Sequence, residues 1–178
     1  MQFRRGESFF AQRKYREAES AYQSVVAKGA ASEFFEPSMF KLGWSFYKQG
    51  AFEEALHRYF GLIDHKVGKG YVLGGKHTAA EDRRVEDTFN VIALSFSNLG
   101  GPEVIGEYFA EFGHRPYEDH AYRYLGEFFL SKQRYQDAAS VYKDFVGLYP
   151  FHAASPDFSL WVIGIYETGG FPQLVVEA

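Results

Sequence analysis

Apolar residues recur along the chain at intervals of three and four positions, which is the spacing of one face of an α-helix. The stretch AFEEALHRYFGLI is an example, with apolar side chains at Ala55, Tyr59, Leu62 and Ile63. A strand would instead alternate apolar and polar residues. The pattern therefore predicts amphipathic helices and an all-α fold.

Three segments share one arrangement of small and aromatic residues. Each has a glycine, an alanine twelve positions later and a tyrosine sixteen positions later. The three sets are Gly6, Ala18 and Tyr22; Gly43, Ala55 and Tyr59; and Gly126, Ala138 and Tyr142. Small residues let two antiparallel helices approach closely, and the tyrosine one turn later closes the contact. The chain is therefore predicted to repeat a unit of two antiparallel helices.

Two weaker copies of this unit fill the remaining stretches. Ala93 stands in the glycine position of one copy, followed by Ile105 and Phe109 at the same offsets, and Ile163 stands there in the other. The step from Gly43 to Ala93 is 50 residues, which exceeds one unit and predicts an inserted loop. We expect a single repeat domain with units at about 1–35, 36–66, 80–115, 117–150 and 156–178, and an insertion at about 67–79.

These positions resemble the tetratricopeptide repeat, a unit of 34 residues. The matching residues are Leu42, Gly43, Phe46, Gly50, Ala55 and Tyr59, and then Leu125, Gly126, Phe129, Ala138, Tyr142 and Pro150. The resemblance implies a right-handed superhelical solenoid of antiparallel helix pairs, about four repeats plus a truncated fifth. In that family the first helix of each pair lines a concave surface, where a peptide or a partner protein binds.

Carried over position by position, the resemblance implies a partner-binding groove built from the first helices. Large rings there supply contact energy, and amide and charged groups fix register. The groove residues are Phe40, Trp44, Tyr47 and Lys48; then Asn90, Leu94, Ser97 and Asn98; then His120, Arg123, Glu127 and Leu130; with Phe3, Glu7 and Phe10 from the first repeat. Trp44 is the expected main anchor. For Tyr47 and Phe10, packing between repeats is an equally open alternative.

Composition narrows the function classes. The 19 Lys and Arg against 23 Asp and Glu leave a charge of −4, which does not favour binding to a nucleic acid backbone. The sequence has no cysteine, no HExxH motif and no G-x-S-x-G elbow. We therefore expect a protein that is not an enzyme and uses neither a cofactor nor a metal ion.

The predicted insertion contains Gly70-x4-Gly75-Lys76, the spacing of a phosphate-binding loop. Such a loop follows a buried strand, whereas this one follows a predicted helix. Thr78 and Glu81 form a T-x-x-E capping box, which predicts a helix start just after the loop. We expect a connection between repeats whose Lys69, Lys76 and His77 touch the partner. Anion or nucleotide binding there is the alternative.

The segment SEFFEPSMFKLGWSFYKQGAFEEAL is similar to tetratricopeptide proteins of the Gram-negative cell envelope, of the Tol-Pal coordinator and outer-membrane assembly lipoprotein types. This resemblance implies a periplasmic scaffold in envelope assembly, export or transport, with the cytoplasm as the alternative. No apolar run reaches 18 residues, so direct membrane insertion is not expected. The sequence stops inside an apolar pattern at Leu174, Val175 and Val176, so we expect a piece of a longer protein. Self-association through that edge is a further alternative.

Overall fold

The computed structural model describes residues 1–177, and every regular element within them is a helix. The predicted all-α class is thus confirmed. The helices form consecutive pairs, each joined by a short turn. In chain order they are α1 (Gln2–Ala11), α2 (Tyr15–Val26), α3 (Phe35–Lys48), α4 (Phe52–Gly68), α5 (Ala79–Leu99), α6 (Val104–Phe112), α7 (Glu118–Ser131), α8 (Tyr135–Leu148), α9 (Ser155–Gly169) and α10 (Pro172–Glu177).

The helices fall into two compact units, Met1–Ser95 and a second unit that begins at Phe96, so the division lies within α5. In the first unit α1 packs on α2, α2 on α3 and α3 on α4. In the second unit α7 packs on α8, α8 on α9 and α9 on α10. Each of these contacts joins two helices that are consecutive along the chain, as in repeat proteins.

The glycine–tyrosine contact predicted from the repeat lies at the centre of three helix pairs. Tyr22, Tyr59 and Tyr142 are all buried. A Cβ atom placed on Gly6 would lie 2.6 Å from Cε1 of Tyr22, well inside van der Waals contact. The same clash arises between Gly43 and Tyr59 and between Gly126 and Tyr142. The alanines of the motif, Ala18, Ala55 and Ala138, are completely buried beside these rings.

The inserted loop is residues 69–78, slightly shorter than predicted, because α4 continues to Gly68. The predicted capping box is confirmed: the Thr78 N–H donates to Glu81 Oε2 at 3.2 Å, and the Glu81 N–H donates to Thr78 Oγ1 at 3.3 Å. The Tyr71 ring stacks on His77 with centroids 4.0 Å apart, and its hydroxyl donates to Asp82 Oδ1 at 2.6 Å. The loop therefore folds against the first turn of α5.

Two further findings concern membrane spans and metal ions. None of the helices within residues 1–177 has both the length and the apolar composition needed to cross a bilayer. The same residues hold no cluster of three or more His, Asp or Glu side chains suited to a metal ion.

Replacing Gly126 with Ala should lower the free energy of unfolding by about 1–3 kcal/mol, because the new methyl group overlaps the buried Tyr142 ring. Urea denaturation measures the loss. Gly147→Ala in α8 is the matched control: a Cβ there meets nothing within 4 Å, so this change should raise stability by up to about 1 kcal/mol through helix propensity. Equal effects of the two substitutions would contradict the close approach.

Candidate functional site

One face of α3 gathers the four groove residues predicted for the second repeat. Phe40, Trp44 and Tyr47 follow at intervals of four and three, which places them on one side of the helix, and all three are half-buried. Trp44 and Tyr47 pack edge to face with ring centroids 5.1 Å apart. Lys48 Nζ lies 5.6 Å from the centroid of the Trp44 ring, within cation–π range. We call this set the α3 face.

Two rings of the α3 face pack on aromatic residues of α4. Tyr47 also packs on Phe52 at the start of α4, with centroids 5.2 Å apart, and Phe40 packs on Tyr59 at 5.9 Å. Tyr47 therefore takes part in packing between helices and still keeps part of its ring accessible. The rings of the α3 face are held in place before any partner arrives.

The predicted first-repeat residues pack against neighbouring helices. Glu7 accepts a hydrogen bond from the Tyr22 hydroxyl and lies 3.7 Å from Lys41 Nζ on α3. Lys41 Nζ in turn sits 5.0 Å from the centroid of the Phe10 ring, and Phe3 stacks on Phe34 at 5.1 Å. Lys41 was not among the predicted groove residues, and it links α1 with α3. Lys41 directly follows the predicted groove residue Phe40 in the sequence, and this adjacency could have indicated it.

A second feature of the first unit is a small groove between α3 and the early turns of α5, with α4 below it. Its volume is 260 Å³, and Phe40, Leu62, Lys41, Arg84 and Asp87 are among the residues that line it. The predicted residues of α5 follow on that helix, where Asn90 is exposed and Leu94 is half-buried. The α3 face therefore continues into a groove with both apolar and charged walls.

The loop after α4 lies beside a buried ion pair. Lys66 is only 7% exposed, and its Nζ donates to Glu36 Oε2 at 2.6 Å. His65 Nε2 lies 3.6 Å from the other oxygen of Glu36, and burial lowers the pKa of His65. Because Lys66 is engaged by Glu36, its charge serves to join the end of α4 to the start of α3.

The cavity beside this ion pair has a volume of 350 Å³, and its wall includes Lys69, His77 and Glu81. The Glu81 carboxylate already accepts hydrogen bonds from the Thr78 hydroxyl and the Thr78 N–H at the start of α5, where an anion would otherwise bind, and these two hydrogen bonds lower the pKa of Glu81. A helix precedes the loop where a phosphate-binding loop requires a strand. The geometry therefore gives no support to phosphate binding. Lys69 and Lys76 are exposed, and their contact with a partner stays a prediction.

In the second unit, the predicted His120, Arg123 and Glu127 follow one another along α7 at intervals of three and four. His120 is half-buried 3.8 Å from Asp119 Oδ2, and burial lowers its pKa. The Arg123 guanidinium lies 5.6 Å from the centroid of the Tyr124 ring. Glu127 is exposed, as is Asn98 near the end of α5.

Between α7 and α9 the second unit carries a groove of 610 Å³, which we call the α7–α9 groove. Of the predicted residues it includes Glu127 and Leu130. Most of its wall was missed: Tyr135, Tyr142, Leu160, Trp161, Gly164, Ile165 and Thr168. Applying to α9 the register used for α7 would have placed Leu160 and Gly164 on this surface, since they stand at the positions of Arg123 and Glu127.

The sequence matches the family model of the tetratricopeptide repeat over residues 3–62 and 107–153, which is more than half of the chain. The chain belongs to the tetratricopeptide repeat family. The resemblance noted in the sequence is thereby confirmed, and the helix pairs are the expected units. Tetratricopeptide repeats generally mediate protein–protein interaction.

Solved structures similar to this tetratricopeptide repeat protein include the nearly identical TPR-like repeats assigned to a kinesin light chain of Podosopora anserina. The TM-score is 0.48 at 13% identity, covering 99% of this chain and 89% of that one. A variant of the same repeats gives a TM-score of 0.45 at 13% identity, covering 99% and 88%. Among the curated proteins, none matches this sequence.

The tyrosine hydroxyls beneath these surfaces differ in their partners. Tyr22 donates to Glu7 and Tyr142 donates to the Arg123 carbonyl at 3.2 Å, whereas the buried Tyr59 hydroxyl has no hydrogen-bond partner among the described residues. Tyr59→Phe should therefore leave the free energy of unfolding unchanged or raise it, because a buried unpaired hydroxyl is costly. Tyr142→Phe should lower it by about 1 kcal/mol. Urea denaturation of both variants checks the difference, and a clear loss in Tyr59→Phe would refute it.

Proposed function

We propose that this tetratricopeptide repeat protein is a non-catalytic scaffold that binds a peptide segment or a partner protein on the faces of its first helices. The α3 face carries this proposal. A tryptophan and a tyrosine lie there together, half-buried and flanked by a lysine. The other described residues leave part of both rings accessible. Tryptophan and tyrosine are enriched among the residues that dominate binding energy at protein interfaces.

Preorganisation supports the same proposal. The rings of Trp44 and Tyr47 pack edge to face on each other, Phe52 packs against Tyr47, and Tyr59 packs against Phe40. A partner that binds such a surface avoids much of the entropic cost of ordering large side chains. The scaffold therefore contributes rigid anchors, and the partner contributes the segment that folds onto them.

We further propose a periplasmic setting, in envelope assembly, export or transport. Its support is the likeness of the second repeat, SEFFEPSMFKLGWSFYKQGAFEEAL, to tetratricopeptide proteins of the cell envelope. The lack of cysteine is compatible with the periplasm and the cytoplasm alike, since a chain without disulfides does not depend on the redox state of its compartment.

Trp44→Ala should reduce partner capture about tenfold or more, because it removes the largest ring of the α3 face. The measurement is quantitative mass spectrometry of proteins retained by the immobilised chain from an extract of its source cell. Phe151→Ala is the matched control, since Phe151 is a fully exposed aromatic residue outside the helices. Circular dichroism shows whether both variants stay helical. If the folded Trp44→Ala variant retains the same partners as the wild type, the α3 face does not bind them.

The compartment is tested separately by immunodetection of the full-length protein in fractionated source cells. We expect the signal in the periplasmic fraction, with a cytoplasmic marker enzyme as the control. Recovery with that marker would refute the envelope proposal and leave the binding function of the α3 face untouched.

A further inference from the structure

The two units differ sharply in charge. Residues 1–95 carry 14 Lys and Arg against 12 Asp and Glu, a net charge of +2, whereas residues 96–178 carry 5 against 11, a net charge of −6. The overall charge of the chain hides this difference. A segment that binds the second unit therefore meets a negative field, which attracts cations and repels anions.

The α7–α9 groove is an apolar opening in this unit. Leu160 and Trp161 on α9 are 65% and 39% exposed, and Leu130 on α7 is half-buried. Trp161 is held by Tyr142 and Phe158, with ring centroids at 5.4 Å and 5.1 Å. The groove therefore offers a fixed aromatic wall beside an exposed leucine.

The α9 wall of the groove is open at one position, because a glycine lies there. A Cβ on Gly164 would meet nothing within 4 Å, so no side chain fills this part of the wall. Thr168, one turn later, turns its hydroxyl back to the Gly164 carbonyl, where it donates at 2.8 Å. The Thr168 hydroxyl is thus hydrogen-bonded within α9. Because this polar group already has a partner, the α9 wall of the groove is suited to an apolar side chain of the partner.

The charge at the groove is negative. Among the described residues that line the groove, Glu127 is the only Asp, Glu, Lys or Arg, and Glu167, next to Thr168, is exposed on α9. Arg123 is the cation one turn before Glu127, and it does not line the groove; its guanidinium lies beside Tyr124. A lysine or arginine of a partner would therefore face carboxylates, and its aliphatic stem would cover Leu160 or Trp161.

We propose that the α7–α9 groove binds an apolar peptide segment flanked by lysine or arginine residues. This proposal rests on the proposed scaffold function and names the partner chemistry of one surface. Apolar side chains of the segment occupy the space beside Gly164 and against Trp161. Its basic flanks are attracted by Glu127, Glu167 and the −6 charge of the unit. An acidic flank would add like charge to that field.

The test is a selection of random 16-residue peptides displayed on phage, with the whole chain as bait. Bound peptides are sorted by whether they lose affinity for Leu160→Ser. Leu148→Ser is the matched control, since Leu148 is also an exposed leucine (57%) and lies outside the groove. We expect a group that loses about tenfold or more with Leu160→Ser only, and that has apolar residues between Lys or Arg residues.

The charge component is tested at a single position. For peptides of this group, Thr168→Lys should weaken binding several-fold more than Thr168→Gln, because the two side chains are similar in length and differ in charge. The difference should shrink at high salt, since screening reduces the attraction. Equal affinities of the two variants, or groove-dependent peptides with acidic or neutral flanks, would overturn the proposal.

The selection also separates this proposal from the scaffold function. Peptides that respond to Trp44→Ala and never to Leu160→Ser would leave the scaffold function standing and refute the α7–α9 groove as a site. Failure to enrich any peptide on the folded wild type would count against both.

Discussion

The contact between a tyrosine ring and a glycine determines how close the two helices of a repeat can lie. The rings of Tyr22, Tyr59 and Tyr142 occupy the volume that a Cβ would need on Gly6, Gly43 and Gly126. Because the glycine must face the second helix, the position that directly follows it on the first helix is turned outward. Glu7, Trp44 and Glu127 each follow such a glycine directly. One core contact thus positions a surface residue whose chemistry is free to differ among repeats.

That surface residue also affects the core beneath it. In the first repeat Glu7 accepts a hydrogen bond from the Tyr22 hydroxyl. In the fourth repeat a backbone carbonyl of α7 accepts one from the Tyr142 hydroxyl. In the second repeat the equivalent residue is Trp44, and the Tyr59 hydroxyl is buried without a partner among the described residues. Burial raises the pKa of all three tyrosines, so their hydroxyls stay neutral. The large ring on the α3 face is therefore accompanied by a lost hydrogen bond in the core.

Much of the fold could be predicted because it depends on local signals. The recurring Gly, Ala and Tyr predict the helix pairs, and Thr78 with Glu81 predicts the start of α5. The backbone conformation was less predictable where different residues occupy the same position of the repeat. Arg13 and Gln133 adopt left-handed φ angles of 59° and 58° at the turn where the second repeat has Gly50 at 78°. Arginine and glutamine rarely adopt this conformation, so their identity did not predict it.

The candidate surfaces were predicted in part, for a related reason. Residues on one helix, such as Trp44 and Tyr47, follow from helical spacing alone. The ion pair between Lys66 and Glu36 joins residues 30 positions apart, and the α7–α9 groove joins α7 with one of the two weaker copies of the repeat. Such features depend on which helices become neighbours and on how their ends meet. Net charge was misleading in the same way, because a total of −4 combines one slightly basic unit with one strongly acidic unit.

The division of charge also explains how one kind of repeat can present two chemistries. The α3 face combines aromatic rings with Lys48, whereas the α7–α9 groove combines Leu160 and Trp161 with Glu127. Both are built on the same helix-pair geometry, and they differ at positions that the glycine–tyrosine contact leaves open. Substitutions at those positions change the sign of the surface while the glycine–tyrosine contact is kept, so the surface chemistry can vary from repeat to repeat on the same packing.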